Sequence, residues 1–174
     1  MRLQGDTSQQ DLLSIYADQP REVRRILQLF SVIYEPVGQT VVKDILKGLG
    51  WKSADGRGLH QLLAKPLRVQ LLGLGLLVDN CNKYHIALEI SEQLTRELVD
   101  DGSFELVVNV VEKHYGSELV DRYGSPLYRL STHQREQRLM RCIRIALHRN
   151  EGRQLTALLG LSWETFPKLT LNKS

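Results

Sequence analysis

The chain has 174 residues, 42% hydrophobic and 25% charged, with a formal net charge of +3, enough to bury one ordinary core or two small ones packed together. No apolar run reaches the roughly 18 to 20 residues that span a bilayer; the densest, Leu59 to Val78, is interrupted by Lys65, Pro66 and Arg68. Met1-Arg2-Leu3-Gln4-Gly5-Asp6 lacks the apolar core of a signal peptide and the two cysteines make no disulfide framework, so a cytoplasmic protein with reduced thiols is expected.

Residues 1 to 18 are polar and read as a frayed segment in which Asp11 to Tyr16 has the makings of a helical turn. Pro20 suits the first turn of a helix, where its missing N–H costs nothing. Val23, Ile26, Leu27, Phe30 and Ile33 then recur at spacings of three and four, one helical face, with Arg21, Glu22, Arg24, Arg25 and Gln28 covering the other side. Pro36 ends this first helix, because the residue before proline disfavours the α region. Glu35 to Val37 is the place for a short first strand. A second helix from Gln39 or Thr40 turns Val41, Val42, Ile45, Leu46 and Leu49 inward, and Gly48 and Gly50 fit its C-terminal cap. The segment Trp51 to Gly58 is polar and reads as a flexible loop.

The third helical segment buries leucines over most of its circumference and leaves a narrow polar stripe of Gln61, Lys65 and Arg68. Pro66 predicts a kink or a restart within it, and Gly73 and Gly75 end it. Leu76-Leu77-Val78 and Tyr84 to Leu88 read as two strands, and Asp79, Asn80 and Asn82 between them favour a tight hairpin. Ser91 is the expected N-cap of a helix burying Leu94 and Leu98 and ending at Asp100-Asp101-Gly102. Phe104, Leu106, Val107, Val110 and Val111 predict another helix, stopped by Gly116; a short turn over Leu119 to Tyr123 follows. Ser131 or Thr132 caps a helix to about Asn150, a last short helix holds Leu155, Leu158 and Leu159, and Ser162 to Ser174 reads as a loose end.

Helix, helix, β-hairpin, helix in about 60 residues is the order of a winged helix-turn-helix domain. The run Leu67-Arg68-Val69-Gln70-Leu71-Leu72-Gly73-Leu74-Gly75-Leu76-Leu77-Val78, followed by a hairpin and Glu89-Ile90-Ser91-Glu92, resembles that superfamily over roughly residues 20 to 101. The resemblance implies that DNA is met by polar residues of the third helix and basic residues of the wing tip, here Gln61, Lys65 and Arg68 with Lys83 and His85. Three cations are a thin set for gripping phosphates. The leucine-rich third helix and the long loop before it point to the protein-binding winged helices, which often sit beside ATPase motors; Trp51 and Leu72 are then the docking residues.

The charge is asymmetric: residues 1 to 102 carry 12 Lys+Arg and 13 Asp+Glu, residues 103 to 174 carry 11 and 7. Arg129 to Arg153 holds seven arginines and no lysine, against Glu136 and Glu151. On a 100° wheel Leu139, Met140, Ile143, Ala146 and Leu147 fall on one side, and Arg138, Arg141, Arg144, His148 and Arg149 on the other. This face reads as a solvated surface, a grip for nucleic-acid backbone, or a seat for an acidic protein surface; arginine forks suit phosphate and carboxylate alike.

Other motifs carry little chemistry. Gly48-Leu49-Gly50-Trp51-Lys52-Ser53 has Trp51 where a phosphate-binding loop needs glycine, and it follows a helix. Cys81 and His85 have no second pair at ligand spacing, and no histidine has a nucleophile or carboxylate in a catalytic spacing. The expectation is a mostly α, non-enzymatic chain without cofactor or metal: a flexible segment at 1–19, a winged-helix domain (three helices and a hairpin wing) at 20–102, a helical extension with a basic face at 103–161, and a tail at 162–174. It functions as a DNA-binding or regulatory module, or alternatively as a docking module of a larger assembly.

Overall fold

The computed structural model describes residues 8–115 and 132–165, with side chains from 135 to 160 in the second stretch. It is mostly helical with one small antiparallel sheet, and its two compact units divide between residues 116 and 117.

The first unit opens with α1 (Gln9–Ala17), where a frayed segment is expected from the sequence. Two features hidden by the polar composition make the helix. Ser8 and Asp11 form a reciprocal capping box, which satisfies backbone donors at the first turn. Leu12 and Tyr16, one turn apart, are both buried, at 5% and 2% exposure. The next helix, α2 (Arg21–Ile33), is the centre of the unit: Ile26, Leu27, Leu29, Phe30 and Ile33 are all within a few per cent of full burial. Tyr34 ends it in the left-handed region at φ 58. Val37 then exchanges backbone hydrogen bonds of 3.0 and 2.9 Å with Tyr84, so the expected first strand is a single bridge onto the hairpin.

Helix α3 (Gln39–Leu49) buries Val42, Ile45, Leu46 and Leu49, and leaves Val41 half-buried. Gly50 caps it at φ +65, a conformation that costs residues with a Cβ. Gly48 has a different role from the capping one expected. It lies inside the helix, where a Cβ would stand 2.9 Å from Val110 Cγ1 of the helix packed on it. Residues 51–58 are held at several points: Lys52 bridges Gly58, Leu59 N–H donates to Trp51 O at 2.9 Å, and Ala54 N–H donates to Glu22 at 3.1 Å. The third helical segment breaks as the proline demands, into α4 (Leu59–Leu62) and α5 (Lys65–Gly73), with Pro66 in the first turn of α5. Gln39 Nε2 donates to Leu63 O at the break, at 2.8 Å.

Strands β1 (Leu77–Asn80) and β2 (Lys83–Ile86) pair with Leu77 opposite Ile86 and Asn80 opposite Lys83. Cys81 and Asn82 make the two-residue turn, both at positive φ (53 and 63), the signature of a type I′ hairpin. Asp79 accepts from Asn82 N–H at 2.9 Å. Helix α6 (Leu88–Asp100) begins three residues before the expected cap. Ser91 is therefore an interior residue, 1% exposed, in a buried seam where Thr95 donates to Ser31 Oγ at 3.0 Å. Helix α7 (Phe104–Tyr115) packs on α2, α3 and α6 and shares their core through Phe104, Val107, Val108 and Val111, while Leu106 stays 49% exposed.

In the second unit, α8 (Thr132–His148) and α9 (Gly152–Thr165) close on a small core of Leu139, Ile143, Ala146 and Leu158. Helix α9 runs four residues into the stretch expected to be loose. Met140, Leu147 and Leu159 are 44%, 56% and 42% exposed. The expected turn at Leu119 to Tyr123 lies outside the described residues. No described helix is long and apolar enough to cross a membrane.

Candidate functional site

The third helical segment and the hairpin are locked together by one side chain. Arg68, on α5, donates from Nη1 to Tyr84 Oη of β2 at 2.9 Å and lies 5.2 Å from the centre of the same ring. Tyr84 is in turn pinned by its backbone pair with Val37. Arg68 thus acts as a clamp, and its charge is half-buried. Gln61, Lys65 and Lys83 are exposed, and His85 is half-buried with Nδ1 2.9 Å from Ile86 O. Neither α4 nor α5 contains a carboxylate. Beside these groups stand two exposed apolar residues, Val69 on α5 at 58% and Val78 on β1 at 41%, whereas Leu72 is half-buried.

The arginine helix differs from a solvated face. Arg141, placed by the wheel at its centre, is 3% exposed, and Ile145 is 5% exposed on a side the wheel does not assign to the core. Arg138, Arg144, His148 and Arg149 are half-buried, and these four and Arg141 all have interaction partners. Arg141 is therefore no open phosphate contact. A helical wheel reads one core stripe; it cannot register burial on a second side.

Sequence periodicity gave no warning of a second feature, the arginines at the start of α2. Arg21 and Arg25 line two clefts, and Arg24 joins them in the first. One, of about 550 Å³, faces Glu97, Asp100 and Asp101 and is crossed by an Arg25–Asp101 ion pair of 2.9 Å. The other, of about 410 Å³, is lined by Arg21, Glu22, Arg25, Trp51, Lys52, Ser53, Ala54 and Leu59. In it the Arg25 guanidinium lies 5.2 Å from the centre of the half-buried Trp51 ring. The available signal was a run of arginines preceding the buried half of a helix, together with an isolated loop tryptophan.

Glu22 holds the loop of this second cleft. Its own backbone N–H and that of Ala54 hydrogen-bond the carboxylate and hold its pKa below the ordinary 4.5, since both bonds favour the charged form. A depressed carboxylate pKa gives anchoring that is present above the ordinary value and lost as pH falls through the lowered one. Ala54 N–H is therefore expected to lose protection, measured against the intrinsic exchange rate at the same pH, in Glu22→Gln, and in the parent chain once the pH falls below that value. Equal Ala54 exchange in the variant and the parent at neutral pH refutes the anchor.

Among the described residues there is no group of three or more His, Cys, Asp or Glu side chains placed to hold a metal ion. Cys81 is exposed and Cys142 half-buried, and neither is in a disulfide. No protein-family model matches the chain, nor does any curated protein or solved structure.

Proposed function

We propose that the first unit is a non-enzymatic recognition module of winged-helix type that lays α5 and the hairpin against duplex DNA. The observation that carries this reading is the coupling of α5 to the hairpin through Arg68 and Tyr84. That link makes one rigid surface from a helix without carboxylates and a wing whose exposed Lys83 follows the turn. Gln61 and Lys65 complete its polar set.

With Lys65 and Lys83 as the open cations, the expected affinity is modest and its salt dependence shallow. Each neutralised phosphate contributes about −0.9 to the slope of log K against log salt, so two contribute about −1.8. Anisotropy titration of a labelled random duplex between about 50 and 200 mM salt measures that slope. Lys65→Glu and Lys83→Glu are each expected to reduce it by about 1 and together to weaken binding by about tenfold or more. Unchanged affinity in the double variant sinks the reading.

One observation favours a second reading, protein docking: the exposure of Val69 and Val78 on adjoining elements. Exposed apolar residues that adjoin mark protein contacts when the patch exceeds a few hundred Å². Absence of duplex binding at about 50 mM salt, where phosphate contacts are strongest, leaves docking through these valines as the function of this face.

A further inference from the structure

The cleft between the start of α2 and the Trp51 loop combines an aromatic ring, open cations and adequate volume. Arg21 and Lys52 are exposed, Arg25 is half-buried over the indole, and Glu22 is the one carboxylate in the lining. Glu22 is already committed to Ala54 N–H. Asp55, on the same loop, accepts from Ser53 Oγ and Arg57 N–H and is ion-paired with Arg57 at 3.2 Å. The neighbouring cleft shares Arg21 and Arg25 but sets three carboxylates against three arginines. That cleft is balanced in charge, whereas the Trp51 side holds Arg21 and Lys52 against Glu22 even when Arg25 is set against its Asp101 partner, so an anion is drawn to the Trp51 side. About 410 Å³ lies within the range of small-ligand sites.

The geometry points to a nucleotide subsite: the cleft takes one nucleotide of a single-stranded nucleic acid, its base against Trp51 and its two flanking phosphates on Arg21 and Lys52. An aromatic platform flanked by basic side chains is the chemistry by which single strands are held without sequence preference. A half-exposed indole already polarised by a guanidinium suits a π-face, and two exposed cations suit one backbone phosphate on each side of the base. An acidic peptide satisfies the cations and leaves the ring unused; a nucleotide engages both. The inference is independent of the α5–hairpin reading, since it uses none of Gln61, Lys65 or Lys83.

The test uses the full chain carrying Trp163→Phe, which leaves Trp51 as the sole indole of the two in the sequence. An oligothymidylate of about 12 nucleotides, within the usual site sizes, is titrated while Trp51 emission is followed. Saturable quenching is expected in that chain; the Trp51 variants, which leave no indole, are read by the anisotropy of the labelled oligonucleotide, with Trp51→Phe weakening binding less than Trp51→Ala, and the latter by about tenfold, the stacking share of one base. Arg21→Glu with Lys52→Glu is expected to reduce the salt slope by about 1.4, at about 0.7 per single-strand phosphate. Circular dichroism of each variant checks folding, and Arg21→Glu alone, at an exposed position, keeps the test sound if Trp51→Ala unfolds. The inference fails if the oligonucleotide leaves Trp51 emission unchanged, if Arg21→Glu binds like the parent, or if polyglutamate quenches equally. Oligonucleotide binding lost in the Lys65→Glu, Lys83→Glu variant but retained in Arg21→Glu also overturns it, while leaving the hairpin reading standing.

Discussion

Tyr16→Ala is expected to lower the unfolding free energy by about 3–5 kcal/mol, the range for emptying a buried aromatic site. Tyr16 is 2% exposed, and its hydroxyl completes a triangle across three helices. It donates to Glu97 of α6 at 2.5 Å and accepts from Gln28 of α2 at 3.0 Å, while Gln28 also donates to Glu97 at 3.0 Å. Removing the ring leaves a cavity at the joint and takes from α1 one of its two buried anchors. Urea denaturation of the parent and variant measures the difference; a loss below about 1 kcal/mol, the cost of an ordinary peripheral contact, shows that α1 does not belong to the core.

The same hydroxyl gives a pH signature. Burial, the Glu97 hydrogen bond and the Glu97 charge hold the phenol protonated far above its ordinary value of 10.0. An acid whose neutral form is favoured by folding contributes its full stability below the unfolded pKa. That contribution declines as pH rises above 10.0, because the unfolded chain releases the proton first. Tyr16→Phe removes the dependence. The stability gap between parent and variant is therefore expected to narrow above that pH.

What the sequence makes legible follows from what each signal measures. Period-3.6 patterning locates α2 and α3 because each buries one dominant stripe, Pro66 locates the α4–α5 break, and the Asp79, Asn80 and Asn82 cluster locates the hairpin, whose turn falls on Cys81 and Asn82 at positive φ. Only a turn of helix α1, Asp11 to Tyr16, is legible, because its anchors are only two residues, Leu12 and Tyr16, and its cap is a reciprocal pair within a polar stretch. Ser91 reads as a cap because serine commonly caps, yet here its hydroxyl lies in a buried seam between α2 and α6, which is a tertiary fact. Of the candidate site residues, Gln61, Lys65 and Lys83 are exposed where the pattern puts them, but the role of Arg68 depends on Tyr84, which lies on another element, and Arg141 is buried on a side that the wheel leaves open. Trp51 was visible as a loop tryptophan. Its partner Arg25, 26 positions earlier, was visible only as part of a polar helix face.

Arg68→Ala is expected to cost about 2 kcal/mol and to weaken duplex binding without removing a direct phosphate contact. The lost interactions are a hydrogen bond from a charged donor, about 1.5–3 kcal/mol in such a setting, and a stacked cation, about 0.5–1 kcal/mol near the surface. Part of this is returned, because Arg68 Nε is buried without a hydrogen-bond partner among the described residues and its removal relieves that cost. Arg68→Lys keeps the charge but loses the planar group that lies over the Tyr84 ring while bonding its hydroxyl, so it is expected to recover less than half. Tyr84→Phe separates the terms by deleting the hydroxyl and keeping the ring. A double-mutant cycle between Arg68→Ala and Tyr84→Phe is expected to give a coupling of about 1.5–3 kcal/mol, the worth of a hydrogen bond from a charged donor. Coupling near zero, or duplex affinity unchanged in Arg68→Ala, means that the hairpin is placed by Val37 and the β1 ladder alone. The helix and wing would then be two separate contacts with no shared rigid surface.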